Sequence, residues 1–101
     1  MPMECVCKER ELTVTLSGEL DHHGAKRIMA CMDSRIDLEL PRQLTVDMSG
    51  ITFTDSSGIA VLLRAQRRMA QLQGSMTVVN VPAQAQRVFR AAGLHRMIRF
   101  E

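Results

Sequence analysis

Stretches with the periodicity of a strand alternate with stretches with the periodicity of a helix along this chain of 101 residues. Leu12, Val14 and Leu16 alternate with polar residues, which indicates a strand with one face less buried than the other. Ala25 and Ile28 begin an apolar series spaced three and four residues apart, which is typical of an amphipathic helix. Strands connected through helices pair in parallel with right-handed crossovers, and only strands joined by a tight turn pair antiparallel. We therefore expect an α/β fold with a mixed, mostly parallel sheet of four to five strands, an opening antiparallel hairpin, and the order β-β-α-β-α-β-α-β.

The ends of these elements carry local signals. Asp21 is a suitable N-cap for the first helix, and Gly74 is expected to end the second helix as a left-handed residue. Pro82 suits the first turn of the third helix, which Gly93 should end. The fourth predicted strand is apolar enough to be buried on both faces. The predicted strands are residues 4–8, 11–18, 43–49, 75–81 and 97–100.

The segment Thr54-Asp55-Ser56-Ser57-Gly58 lies where a strand must turn into a long apolar helix. Asp and Ser are favoured at such a point, because their side-chain oxygens accept hydrogen bonds from the unpaired N–H groups of the first helical turn. Gly58 allows another backbone, or a partner, to approach closely. We expect Ile51 and Phe53 to enter the core and hold the segment that leads into the turn.

The carboxyl ends of parallel strands are where open α/β sheets place their functional groups. One strand ends just before Asp21, and another ends just before Ser56. We therefore expect Asp21 and Ser56 to lie on one edge of the molecule, within one surface.

Charge is unevenly distributed along the chain. Residues 1–50 carry six Lys and Arg against nine Asp and Glu, whereas residues 51–101 carry seven Arg against two acids. A basic half can indicate nucleic-acid binding, but the chain has no Trp or Tyr and three Phe, too few for a stacking platform. We expect no nucleic acid, and we expect the helix arginines to form solvated faces that meet an acidic protein.

Composition also bears on membranes and location. No apolar run reaches the roughly 20 residues needed to span a bilayer. The N-terminus lacks a basic region followed by an apolar stretch. We expect no secretion signal, no membrane partner and a cytoplasmic location.

The three cysteines, Cys5, Cys7 and Cys31, are an odd number and do not suggest a disulfide framework. Cys31 is expected on the apolar side of the first helix. The adjacent His22 and His23 point about 100° apart on a helix and cannot easily share one ion, so we expect no metal site.

Ser56 could also be a hydrolase nucleophile. The chain lacks Gly-x-Ser-x-Gly, and its histidines are remote from Ser56 in sequence. We therefore expect no catalytic residues, and the absence of a glycine-rich phosphate cradle leaves no cofactor to assign.

Two motifs together resemble the STAS family of anti-sigma factor antagonists, and within it the sporulation branch. They are Asp55-Ser56-Ser57-Gly58 before an apolar helix, and Gly18-Glu19-Leu20-Asp21-His22-His23 upstream. The C-terminal Gly93-Leu94 and Ile98-Arg99-Phe100-Glu101 are also similar, so the resemblance extends from about Leu12 to the last residue.

The resemblance implies a single STAS domain over residues 1–101, without the C-terminal helix usual in the family. It implies a non-enzymatic regulator that binds an anti-sigma factor and releases the sigma factor. That anti-sigma factor is itself a serine kinase, which phosphorylates Ser56 and so ends binding until a serine phosphatase restores it. The implied partner-binding residues are Asp21, His22, Thr54, Asp55, Ser57, Gly58, Ile59 and Ala60.

The alternative is a STAS subunit of a lipid-transport or stress-signalling assembly, in which the domain is structural and Ser56 goes unmodified. Two positions depart from the family pattern. Ala60 replaces a common second glycine and would crowd a partner slightly. Gly24 replaces a threonine and should weaken the first turn of its helix by roughly 1 kcal/mol.

Overall fold

The computed structural model describes residues 3–101, which form one five-stranded sheet and three α-helices. Met1 and Pro2, on which part of the expectation about a secretion signal rests, lie outside the described residues. The strands are β1 (Met3–Lys8), β2 (Glu11–Leu20), β3 (Gln43–Thr54), β4 (Ser75–Val79) and β5 (Arg99–Phe100). The helices are α1 (His22–Glu39), α2 (Ser56–Gln71) and α3 (Ala83–Ala91), with a short 3-10 helix at Leu94–Arg96.

The strands lie in the sheet in their order along the chain, from β1 to β5. Only β1 and β2 pair antiparallel, and the other three pairs are parallel. The hairpin between them is a two-residue turn with positive φ at both Glu9 (53°) and Arg10 (64°), the backbone that suits the twist of a tight hairpin. The predicted fold class, element order and opening hairpin are confirmed.

One face of the sheet supplies the core. α1 packs on β1 and β2, α2 packs on β3 and β4, and the two helices contact each other. The other face is polar: the register places Thr13, Thr45 and Thr77 side by side across three strands, and none of them is buried. The expectation that the fourth strand is buried on both faces is therefore wrong. The buried strand residues are Met3, Leu12, Val14, Leu16, Leu20, Leu44, Val46, Met48, Ile51, Thr54, Met76 and Val78.

The third strand is longer than predicted, since it continues to Thr54. Its pairing with β2 shifts register twice, so that β3 holds more residues than β2 over the same length. Each extra residue reverses the face on which the next side chains lie. Ile51 is therefore buried as expected, whereas Phe53 is 41% exposed, and its predicted place in the core is wrong.

Two further local predictions are corrected. The left-handed residue after α2 is Gln73 (φ 58°) rather than Gly74. Position 74 requires a glycine for a different reason, because a Cβ there would come within 2.7 Å of the Arg42 carbonyl oxygen and the Met69 methyl carbon. Cys31 is exposed rather than on the apolar side of α1.

Arginines of α2 pair with aspartates of α1. Arg64 Nη2 lies 2.7 Å from Asp33 Oδ2, and Arg68 Nη1 lies 3.4 Å from Asp33 Oδ1. Arg68 also pairs with Asp37. Arg64 is exposed as expected and Arg68 is half-buried, and the charges of both arginines are paired with aspartates of this chain.

None of the helices in residues 3–101 combines the length and the hydropathy that crossing a membrane would require.

Candidate functional site

The carboxyl ends of β2 and β3 lie side by side. Leu20 and Thr54, the last residues of the two strands, are register partners. The Asp55 N–H donates to the Leu20 carbonyl oxygen at 3.4 Å. Asp21 and Asp55 follow directly, and each is the N-cap of the next helix. The structure thus brings the starts of α1 and α2 to one edge of the sheet, which we call the switch edge.

The first turn of α2 is held by Asp55. Its carboxylate accepts a hydrogen bond from the Ser57 N–H at 2.7 Å, and its carbonyl oxygen accepts one from the Gly58 N–H at 3.1 Å. Ser56 is the first residue of the helix and is exposed, whereas Ser57 is half-buried. The two serines therefore differ in access, and Ser56 is the more accessible of the two.

Residues around the serines divide into an inner and an outer set. Thr54 is 1% exposed, and Gly58 is buried against it. A Cβ at Gly58 would overlap Thr54 Oγ1 and lie 3.0 Å from Leu20 Cδ2, so the glycine permits close packing within this chain. Ala60 is exposed, and Ile59 is half-buried on the margin of the core. Of the residues predicted to bind a partner, Thr54 and Gly58 offer almost no surface, and Ala60 offers a small one.

Asp21 forms the second cap of the switch edge. Its Oδ1 accepts a hydrogen bond from the Gly24 N–H at 2.8 Å. This bond lowers the pKa of the Asp21 carboxyl below its usual value, and the charge of the nearby His23 acts in the same direction. His22 and His23 are exposed, and their rings meet edge to face with centroids 5.8 Å apart.

Close packing against the end of β2 requires a glycine at position 24. A Cβ at this position would overlap the carbonyl oxygen of Glu19 and lie 3.3 Å from Asp21 Oδ1. A threonine would therefore need the end of β2 to move. A larger residue would strain the cap that Asp21 forms. The expectation considered only the low helix propensity of Gly24 and missed this packing requirement.

Two residues at the switch edge were missed from the sequence. Phe53 is exposed directly before Thr54, because of the register shifts in β3. Gln84 of α3 hydrogen-bonds the backbone of Thr54. No sequence signal joins Gln84 to Thr54, which is 30 residues away.

The described residues of the switch edge form no cluster of metal ligands. Within residues 3–101, no three His, Cys, Asp or Glu side chains come together where they could hold a metal ion. Among the hydrogen bonds of these residues, none joins the Ser56 hydroxyl to a histidine. A cavity of about 190 Å³ lies elsewhere, between the end of α3 and β5, and none of its lining residues belongs to the turn; they are Val81, Gln86, Phe89, Arg90, His95, Phe100 and Glu101.

Comparison with known proteins gives matches over nearly the whole chain. The family described as "Mlab, STAS domain" matches residues 6–99. An anti-sigma F factor antagonist from Paenibacillus polymyxa is 32% identical over 87 residues, which are 86% of this chain and 74% of the relative.

Two solved structures share the fold. The anti-sigma factor antagonist SpoIIAA in its unphosphorylated form aligns with a TM-score of 0.83 and 24% identity, over 98% of this chain and 87% of that chain. The Bacillus cell fate determinant SpoIIAA in the phosphorylated form aligns with a TM-score of 0.75 and 23% identity, over 98% of this chain and 90% of that chain. The same fold therefore accommodates both forms of that protein.

Proposed function

The chain belongs to the STAS family, and from that membership we propose that it is an anti-sigma factor antagonist whose binding is switched off by phosphorylation of Ser56. The exposure of Ser56 at the first position of α2, beside the buried Thr54 and the half-buried Ser57, is the observation that carries the proposal. The name of the Paenibacillus polymyxa relative supports an anti-sigma factor as the partner.

In the unphosphorylated protein, the switch edge binds the anti-sigma factor and so releases the sigma factor. The contact surface includes Asp21, His22, Asp55 and Ser56, with Ala60 at its margin, while Thr54 and Gly58 support it from within. The anti-sigma factor is also the serine kinase, a serine phosphatase reverses the modification, and the chain acts in the cytoplasm without enzymatic activity of its own.

Electrostatics supports a switch at this position. A phosphoserine carries about −1.5 to −2 charges at neutral pH. A helix N-terminus tolerates an anion, so the chain itself can accept the added charge. The partner instead meets this charge next to Asp21 and Asp55. A partner surface that fits the Ser56 hydroxyl would leave the added charge desolvated and without a counter-charge, which costs several kcal/mol and corresponds to roughly a hundredfold loss of affinity or more.

The test uses the anti-sigma F factor of Paenibacillus polymyxa as the probe. With ATP, mass spectrometry should map one phosphate to Ser56. Ser57→Ala is the matched control, since it alters the neighbouring hydroxyl and leaves Ser56 in place. We expect phosphorylation to survive in Ser57→Ala and to disappear in Ser56→Ala. Modification at Ser57, or none, would contradict the proposal.

Affinity is the second part of the test. Calorimetry in the presence of ADP should show that the unmodified chain binds the anti-sigma F factor. The affinity should be roughly a hundredfold lower for Ser56→Asp. Equal affinities would contradict the electrostatic account. If the chain shows neither binding nor phosphorylation and instead co-purifies with transporter subunits, the alternative of a structural STAS subunit holds.

A further inference from the structure

Both backbone polar groups of Thr54 are bonded by a single side chain. The Thr54 N–H donates to Oε1 of Gln84 at 3.0 Å, and Nε2 of Gln84 donates to the Thr54 carbonyl oxygen at 2.8 Å. Gln84 lies in the first turn of α3. Its carboxamide thus offers the donor and the acceptor that a neighbouring strand would offer.

On the β4 side of β3, no strand of the sheet pairs with Thr54. β4 pairs with β3 only as far as Asp47 and Val79, so it ends well before Thr54. On the other side, β2 accompanies β3 to its last residue. A buried backbone without a partner is costly, and Gln84 supplies the missing bonds at the end of β3.

Thr54 is also fixed through its side chain. Its Oγ1 lies 3.4 Å from the Leu20 carbonyl oxygen and donates to the Asp55 carbonyl oxygen at 3.0 Å. Asp55 is the next residue and caps α2 through the Ser57 N–H. Because Asp55 and Ser56 follow Thr54 directly in the chain, the bonds that fix Thr54 also fix the backbone at Asp55 and Ser56.

We propose that Gln84 is a positioning residue for the switch edge: by holding the backbone of Thr54, it keeps Asp55 and Ser56 in the geometry that the anti-sigma factor and kinase recognises. This role rests on the proposed function of Ser56. It makes α3 part of the switch although Ser56 and Gln84 belong to different helices. It also requires a carboxamide, since Nε2 donates to the Thr54 carbonyl oxygen while Oε1 accepts from the Thr54 N–H.

Three variants test the role. Gln84→Leu removes both bonds, and Gln84→Glu keeps the size of the side chain but loses the donor at neutral pH. Gln86→Leu is the matched control: Gln86 lies on the same helix and also bonds a backbone carbonyl, that of Val81 at 2.9 Å, but it does not touch the turn.

The first measurement needs no partner. Amide hydrogen exchange followed by NMR should show loss of protection at Thr54 in Gln84→Leu, while the amides of Val14 and Val46 in the core keep theirs. Gln86→Leu should match the unchanged chain at Thr54. Unaltered protection at Thr54 in Gln84→Leu would show that Gln84 does not hold the backbone of Thr54, and would overturn the proposal.

The second measurement is phosphorylation of Ser56 by the Paenibacillus polymyxa anti-sigma F factor. If Gln84 positions the turn, its loss lowers the population of the competent geometry, and the apparent affinity falls by the same factor. We expect KM to rise about tenfold in Gln84→Leu, with a smaller change in kcat, a comparable rise in Gln84→Glu, and no change in Gln86→Leu.

The outcomes separate this role from the function on which it rests. Normal KM values in both Gln84 variants, with the unchanged chain phosphorylated, would overturn the positioning role alone. A chain that is never phosphorylated would overturn the function of Ser56 and this role with it.

Discussion

Phe53 presents an aromatic ring at the surface directly before the buried Thr54. Its register partner on β2 is Glu19, which is also exposed and lies two residues before Asp21. An exposed aromatic beside a functional edge is a common anchor in interfaces, where aromatic residues are enriched and carry much of the binding energy. Its position gives the proposed partner an apolar contact next to the acidic caps.

We predict that Phe53→Ser weakens binding of the anti-sigma factor and leaves the fold unchanged. Burying a Phe side chain contributes roughly 1.5–3 kcal/mol. Since 41% of this residue is exposed, about 1 kcal/mol, or about a fivefold change in Kd, is available to a partner. Calorimetry measures the change in Kd.

Leu38→Ser is the control, because Leu38 is 69% exposed near the far end of α1. It should bind as the unchanged chain does. Equal affinities of Phe53→Ser and the unchanged chain would show that the interface does not reach Phe53.

The exposure of Phe53 also shows why part of the site was beyond sequence reasoning. Alternation along a strand predicts the buried face only while the register holds, and Ile51 and Phe53 share a face in a regular strand. The register shifts opposite Ser17 and Glu19 come from pairing with another strand. Within residues 43–54 the only local cue is Gly50, which pairs with Ser17 at the first shift, since a glycine inside a strand can mark a bulge. The turn at Asp55 and Ser56 was predictable because helix capping is local.

At the scale of elements, the switch edge consists of two helices that begin in the same way. Asp21 accepts from the Gly24 N–H, and Asp55 accepts from the Ser57 N–H. Both are extended in backbone and both follow the last residue of a strand. An aspartate as N-cap combines a hydrogen bond with a favourable interaction between its charge and the helix dipole.

We predict that Asp21 contributes stability that depends on pH. Its pKa is lower in the folded chain than in the unfolded chain, chiefly because the Gly24 N–H donates to the carboxylate. A lowered pKa means that the contribution is fully present above the unfolded pKa of about 4 and is lost as pH falls through the folded value. Asp21→Asn keeps a capping oxygen without the charge.

Thermal unfolding between pH 7 and pH 3 measures this contribution. The Tm of the unchanged chain should exceed that of Asp21→Asn at pH 7, and the difference should shrink as pH falls below about 4. A difference that stays constant to pH 3 would assign the effect of the substitution to hydrogen-bond geometry rather than to charge.

The elements themselves were largely predictable, and the contacts between them were not. The amphipathic spacing of Ile28, Met32 and Ile36 identifies α1, since it is a local property. The ion pairs of Arg64 and Arg68 with α1 and the bonds of Gln84 to Thr54 join residues about 30 apart. Such contacts depend on which elements the fold places together, and periodicity carries no information about that.

At the scale of the whole molecule, the uneven charge of the two halves is partly neutralised inside the fold. The acidic half contributes Asp33 and Asp37 of α1, and the basic half contributes Arg64 and Arg68 of α2. Exposed pairs of this kind contribute about 0–1 kcal/mol each, so they align the helices more than they stabilise them. Ser56 takes no part in these pairs and is itself exposed, which favours a switch that acts on the partner rather than on the fold.

We predict that a negative charge at Ser56 leaves the fold of the whole chain intact. Ser56 is exposed, so no burial of charge is involved, and an anion at a helix N-terminus is favoured by about 0.3–1 kcal/mol. For a domain of this size that corresponds to a Tm change of no more than about 8 °C, and toward higher Tm.

Gly58→Ala provides the contrast, since it adds a single methyl group two residues away. That group would overlap Thr54 Oγ1 in the packed interior, and overpacking of this kind costs about 1–3 kcal/mol. Thermal unfolding should therefore show a lower Tm for Gly58→Ala and an equal or slightly higher one for Ser56→Asp. In NMR spectra, shifts in Ser56→Asp should be confined to the switch edge. A Tm that falls in Ser56→Asp as far as in Gly58→Ala would mean that Ser56 acts chiefly within the fold, and phosphorylation would then end binding by disturbing the turn instead of by repelling the partner.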